Sequence, residues 1–211
     1  MIYIENAFIC IAAPLLIAML CADKRSRPVF IFFIAGMGMC LLSAYINTFF
    51  ASYYDADIIQ ATVELAPVIE ETMKLLPILF FLLVYEPKQR DARSAILFVA
   101  AGFATFENTC YLIENGSSQL LYLLMRGFGT GAMHIACGAI VGYGLLYVWK
   151  KPWLKVAGVF GLFCIAITFH AIYNLLLSVG GTVQTVGLLI PAFTAFAYAV
   201  ITRLKRSKQQ K

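Results

Sequence analysis

Charge is what this chain has least of. Only 13% of its 211 residues are Asp, Glu, Lys or Arg, 62% are hydrophobic, and mean hydropathy is +0.84. A soluble domain carries about a quarter charged residues, so no separate soluble domain fits in the chain. Histidine is scarcer still, at two residues. The six cysteines (Cys10, Cys21, Cys40, Cys110, Cys137, Cys164) are scattered singly with no CxxC, which excludes a thiol-redox motif. They read as small packing residues, although Cys110 and Cys137 each stand one helical turn from a candidate site residue and qualify as soft metal ligands. There is no internal repeat and no low-complexity stretch. Charges follow the first apolar stretch rather than precede it, and no small-x-small site stands before Cys21, so that stretch reads as a retained helix.

What the chain has instead is seven apolar runs, approximately Ala7–Ala22, Val29–Phe50, Val63–Tyr85, Ser94–Ile113, Leu120–Trp149, Val156–Ser178 and Thr185–Thr202. Each is near the roughly 20 residues that cross a hydrocarbon core. The expected fold is all-α: a polytopic membrane bundle of seven spans forming one domain over 1–211, with a core about 63–178 and a basic tail 203–211. Within the fifth run, Arg126 and the glycines Gly127, Gly129 and Gly131 predict a break, with Leu120–Met125 at the interface and the helix proper starting near Gly129. Gly138 and Gly142 form a GxxxG suited to close helix approach. Ser52–Thr62 is polar and aromatic and suits an outer interfacial segment leading into the third helix.

The loops set the orientation. Lys24, Arg25 and Arg27, then Lys88, Arg90 and Arg93, then Lys150, Lys151 and Lys155, then Arg203, Lys205, Arg206, Lys208 and Lys211 occupy alternate connections, 14 of the 16 basic residues. The opposite connections carry Glu5, Asp55, Asp57 and Glu114 and no Lys or Arg. The positive-inside rule then places the amino terminus outside and the carboxyl terminus in the cytoplasm. Topology and anionic lipid account for the net +5 without nucleic acid.

Against this background, Glu70, Glu71, Glu107, His134 and His170 stand out, planted in four different apolar runs. A charged group at bilayer depth costs roughly 2.5–3.5 kcal/mol on insertion scales unless it is paired or functional. Counting from the basic end of each run at about 1.5 Å per residue, Glu71 is about 15 residues above Glu86 and Glu107 about 13 above Ser94. His134 is likewise about 15 residues above Trp149, and His170 about 15 above Lys155. All therefore lie on the order of 20 Å from the cytoplasmic surface. A shared polar cavity in the outer half of the membrane explains the common depth.

Lys74 is three residues after Glu71 and four after Glu70, within helical reach of either carboxylate. Adjacent Glu side chains point about 100° apart on a helix, so one can pair with Lys74 while the other faces the cavity. A carboxylate in low dielectric suits a general base for water. Glu107 and Tyr111 share a face one turn apart, so the phenol can orient that carboxylate; Asn108 adjoins them. His170 is followed one turn later by Asn174. Imidazole with carboxylate suits zinc, through Glu107, His134 and His170. The same groups with Asn174 equally suit hydrogen-bond donation to an oxyanion, and both readings stay open.

The ordered pattern EExxK (Glu70, Glu71, Lys74), FExxxY (Phe106, Glu107, Tyr111), a His followed by glycines (His134, Gly138, Gly142) and HxxxN (His170, Asn174) resembles the PrsW family of intramembrane proteases over about Ala66–Leu177. It is similar, more distantly, to the CAAX prenyl endopeptidase and bacteriocin-immunity superfamily. That group's EExxxR and FxxxH are altered here, because Lys74 comes one residue earlier and Cys110 replaces the second motif's His. The resemblance implies an endopeptidase of a bacterial cytoplasmic membrane that makes the first cut in an anti-sigma factor. Its substrate would be a membrane protein or membrane-anchored peptide. The resemblance implies the activity and leaves open whether a metal, zinc being the candidate, takes part. Competing expectations are a proton-coupled transporter, since intramembrane Glu and His also form proton relays, and a non-catalytic immunity or binding protein.

Overall fold

A computed structural model describes residues 3–116, 120–148 and 151–209. Trp149 at the end of the fifth run, Lys150 and Lys211 lie outside the described residues. Among those described there are seven long α-helices: α1 (Ile4–Cys21), α2 (Arg27–Tyr53), α3 (Ala66–Tyr85), α4 (Gln89–Asn115), α5 (Leu120–Val148), α6 (Lys155–Val179) and α7 (Gly181–Gln209). The count fits the seven apolar runs. Five helices are long and apolar enough to cross a membrane by length and composition. The described apolar part of α7 is the shorter Gly181–Ala197. In α3 every 18-residue stretch contains Glu70, Glu71 and Lys74. These three charges are what set α3 apart from the five.

Local chemistry explains the ends of these helices. Between α1 and α2 the Ser26 amide donates to Asp23 Oδ1 at 2.7 Å. That amide and then the Ser26 hydroxyl hold the Asp23 carboxyl below the usual carboxylate range. α3 stops at Glu86, whose φ of 44° is left-handed, and Pro87 follows, which cannot continue a helix. The expected interfacial segment is more ordered than its composition suggests. α2 carries through to Tyr53, and then Asp57 and Gln60 cap each other, amide to side chain, at 3.0 and 2.8 Å. A π-helix, Gln60–Leu65, then leads directly into α3.

The predicted break in the fifth run is not there: α5 is continuous from Leu120 to Val148. Glycine lowers helix stability but blocks no backbone hydrogen bond, and here close packing gives Gly129 a purpose. A Cβ on Gly129 would lie 2.3 Å from the Leu188 carbonyl oxygen of α7. Gly138 and Gly142 do bring helices together, against α4: added Cβ atoms would meet Ala100 Cβ at 2.9 Å and the Ile96 side chain at 2.6 Å.

The tightest seam joins α2 to α4. A Cβ on Gly36 would fall 2.1 Å from the Val99 carbonyl oxygen, and one on Gly102 would fall 2.0 Å from that of Phe33. Met37, Cys40, Phe103 and Phe106 fill the space beside this seam. A second cluster, including Ile78, Leu82, Ile96, Val99 and Leu145, packs α3, α4 and α5. A third, including Met133, Val141, Ala166, Tyr173 and Leu188, packs α5, α6 and α7. α3 is in contact with α2, α4, α5 and α6, so side chains on its inward face can meet residues from all of them.

Candidate active site

Glu71 is on the inward face of α3 and is almost wholly buried. Its Oε1 is ion-paired with Lys74 Nζ one turn along the same helix and accepts from His170 Nδ1 of α6 at 2.8 Å. Lys74, buried as deeply, sends a second hydrogen bond from Nζ to Nδ1 of His134 on α5 at 2.8 Å. An ammonium is donor-only, so this fixes Nδ1 of His134 as the acceptor and leaves the proton on Nε2. His134 Nε2 donates to Glu107 Oε2 of α4. The chain of contacts therefore runs His170–Glu71–Lys74–His134–Glu107 across four helices. The two imidazoles stand edge to face, with ring centroids 5.1 Å apart at 90°, and Phe103 packs against His134 with centroids 5.2 Å apart.

Glu70, next door on α3, is treated differently. Its side chain keeps 17% exposure against 2% for Glu71. Its Oε2 is buried without a hydrogen-bond partner, and the nearest cation-capable atom, His170 Nε2, stands 3.8 Å away. Glu107 retains 27% exposure and is approached at 3.5 Å by Arg126 of α5. The Arg126 guanidinium also lies 3.6 Å above the Tyr111 ring. Three carboxylates and two permanent cations thus share the cluster, and with both imidazoles neutral one negative charge is left over. A buried net charge is costly without a counter-charge, so the site is disposed to take up a proton or a cation.

The candidate residues do not all converge. Glu70, Glu71, Lys74, Glu107, His134 and His170 do. Asn174 is turned elsewhere: its Nδ2 donates to the Thr62 carbonyl at 2.8 Å, tying α6 to the π-helix. The Tyr111 phenol meets the Tyr122 phenol at 3.2 Å, and Glu107 pairs with His134 and Arg126. Asn108 has a buried Oδ1 with no partner. Cys137 packs inward, its thiol 3.6 Å from the Ala166 carbonyl, and the cysteines are free thiols. Arg126 is the residue that sequence reasoning read only as a helix break. The signal was available: Lys74 and Arg126 are the two basic residues inside the apolar runs, and both lie at the cluster.

A chain of ionisable side chains across four apolar helices suits a membrane hydrolase and a proton relay alike, and likeness to known proteins separates the two. The pattern of the PrsW family intramembrane metalloprotease matches residues 24–202. The chain belongs to the PrsW family. It is 28% identical to protease PrsW of Oceanobacillus iheyensis over 223 aligned positions, covering 99% of this chain and 98% of that protein. No solved structure matches the chain. It is accordingly an integral membrane protease.

A PrsW-family metalloprotease implies a metal, and the donors here fit one. Glu70, His134 and His170 each offer a ligand atom, all within 4.8 Å of one another. The Glu70 oxygen is the one without a partner. Each imidazole already gives its other nitrogen to a carboxylate, His170 to Glu71 and His134 to Glu107, as metal-binding histidines commonly do. The Lys74 ammonium on His134 Nδ1 is the contact that would have to yield.

Proposed function

We propose that the chain is an endopeptidase that cuts a membrane-anchored protein at the outer half of a bacterial cytoplasmic membrane, with Glu70 as the carboxylate at the reacting water. One observation carries the assignment: of two adjacent carboxylates, Glu71 is consumed by Lys74 and His170, while Glu70 keeps an unpartnered oxygen. Glu70 takes a proton from the attacking water and returns it to the leaving amine. Glu71 and Lys74 hold the rotation of α3 that aims Glu70. His170 and His134 lie beside the reacting carbonyl, and Arg126 steadies Glu107 at the mouth.

If a metal takes part, Glu70, His134 and His170 are the better-placed set, Glu70 then holding the ion in place of its role as base, with Glu107 as the partner of His134 rather than a ligand. A divalent ion there would supply Lewis-acid activation of water. The metal-free form draws on the distant likeness to the CAAX superfamily. The outer location rests on the basic loops, with the amino terminus outside. The substrate class, a single-span protein such as an anti-sigma factor, rests on the family resemblance and on the buried position of the site. Family membership favours this reading over the transporter.

The test is cleavage of a single-span substrate by purified full-length protein in proteoliposomes, beside Glu70→Gln. Cleavage lost in the variant, with folding intact, supports the assignment. Undiminished cleavage by Glu70→Gln overturns it.

A further inference from the structure

A sizeable cavity lies away from the cluster. It is a groove of about 760 Å³ between α2, α3 and α4, at the end of the bundle that bears the basic connections. Pro77 lines it, three residues beyond Lys74 on α3, and from there it runs past Phe80, Phe81 and Tyr85 to Pro87. Its volume is in the range of small-molecule sites, roughly 300–1,000 Å³.

The distribution of polarity along the groove is what identifies an occupant. The wall is apolar for most of its length, with Phe32 and Phe81 packed at 4.7 Å between centroids. Its three charged residues are Arg25, Arg90 and Asp91, and each sits at a helix end, not along the apolar wall. The Arg25 and Arg90 side chains are exposed and form no ion pair or hydrogen bond among the described residues. Asp91 offsets one of them, so the mouth carries a net charge of +1. An apolar channel that leads from membrane depth to two exposed guanidinium groups at headgroup level, Arg25 beside Asp23 and Arg90 beside Asp91, is complementary to a single molecule that is apolar at one end and a phosphate monoanion at the other. Guanidinium is the side chain best matched to phosphate oxygens.

We propose that this groove is a binding site for one anionic phospholipid, with Arg25 and Arg90 on its phosphate and an acyl chain along Phe32, Phe80 and Phe81. The site is separate from the Glu70 cluster, so it stands or fails independently of the catalytic assignment. It requires only that the bundle be embedded in a bilayer.

The experiment is native mass spectrometry of the delipidated full-length protein titrated with phosphatidylglycerol or phosphatidylcholine of the same chain length. Wild type should retain one phosphatidylglycerol with about thirtyfold preference, the scale expected for two basic groups near a headgroup. Arg25→Gln with Arg90→Gln should bring retention down to that of phosphatidylcholine, and Ser94→Trp, which fills the groove, should reduce both. Thermal melting in detergent checks that each variant is folded; should Ser94→Trp fail to fold, the double variant decides. Equal retention of the two lipids by wild type, or an unchanged preference in the folded double variant, overturns the proposal.

Discussion

His170 sets its Nδ1 2.8 Å from the Glu71 oxygen that Lys74 also holds, joining residues 99 apart in sequence. A carboxylate opposite Nδ1 places the proton there, so Nε2 presents its lone pair toward Glu70. One tandem carboxylate thereby sets the tautomer of a histidine that faces the other. The adjacent acids are not duplicates; their roles divide by partner.

Glu70→Gln should lower cleavage by orders of magnitude and leave the melting temperature nearly unchanged, because the oxygen it alters has no protein partner to lose. Loss of the base is expected to cost at least the 10²–10⁴-fold typical of general-base catalysis. Turnover measured beside thermal melting in detergent checks this, and a strongly destabilised but active Glu70→Gln would contradict it.

Lys74→Met should act on stability as well as activity. It leaves Glu71 buried beside His170 and the Cys137 thiol with no cation and removes the donor on His134 Nδ1. Breaking a buried pair costs about 3–5 kcal/mol. The double variant Lys74→Met with Glu71→Leu removes both charges and should regain much of the lost stability without regaining activity. Denaturation of the single and double variants measures the difference.

Metal content offers a separate check. If the set is Glu70, His134 and His170, then His170→Ala should lower bound zinc in the purified protein, whereas Glu107→Gln should largely keep it. Elemental analysis of the two variants reads this without any assay of activity. Equal loss in both would restore Glu107 to the ligand set.

Much of this site was legible in the sequence, for a physical reason: ionisable groups in lipid are too costly to place idly, so their depth alone announced that Glu71, Glu107, His134 and His170 share a layer. The i,i+3 spacing likewise announced the Glu71–Lys74 pair. Arg126 carried the same signal but sat among glycines, which invited reading it as a break. Asn174 stands apart from the cluster because a short polar side chain one turn from His170 can equally well serve the backbone, and here it donates to the Thr62 carbonyl of a π-helix that no pattern of apolar residues foretells. The choice between Glu70 and Glu107 as a ligand depends on which oxygen is left without a partner. Spacing does not encode that.

Orientation is tested by reporter fusions. Fusions at Gln89 and at the carboxyl tail should read as cytoplasmic and one at Asp57 as external. A cytoplasmic Asp57 would move the site to the inner half of the membrane.

The reciprocal seating of Gly36 and Gly102 on facing carbonyls has a mechanical consequence. Two helices in backbone contact at both places cannot slide or part without opening a void, so α2 and α4 form a fixed strut, and Glu107 rides on it. α3 and α6 are coupled differently, through His170 on Glu71 and through Asn174 on the π-helix, by polar links that can lengthen and re-form. On the proposed function, a dilation that admits a peptide is more readily taken up on the side of α3 and α6. The scissile bond would then be received between α4, bearing Glu107, and α3 and α6, bearing Glu70 and His170.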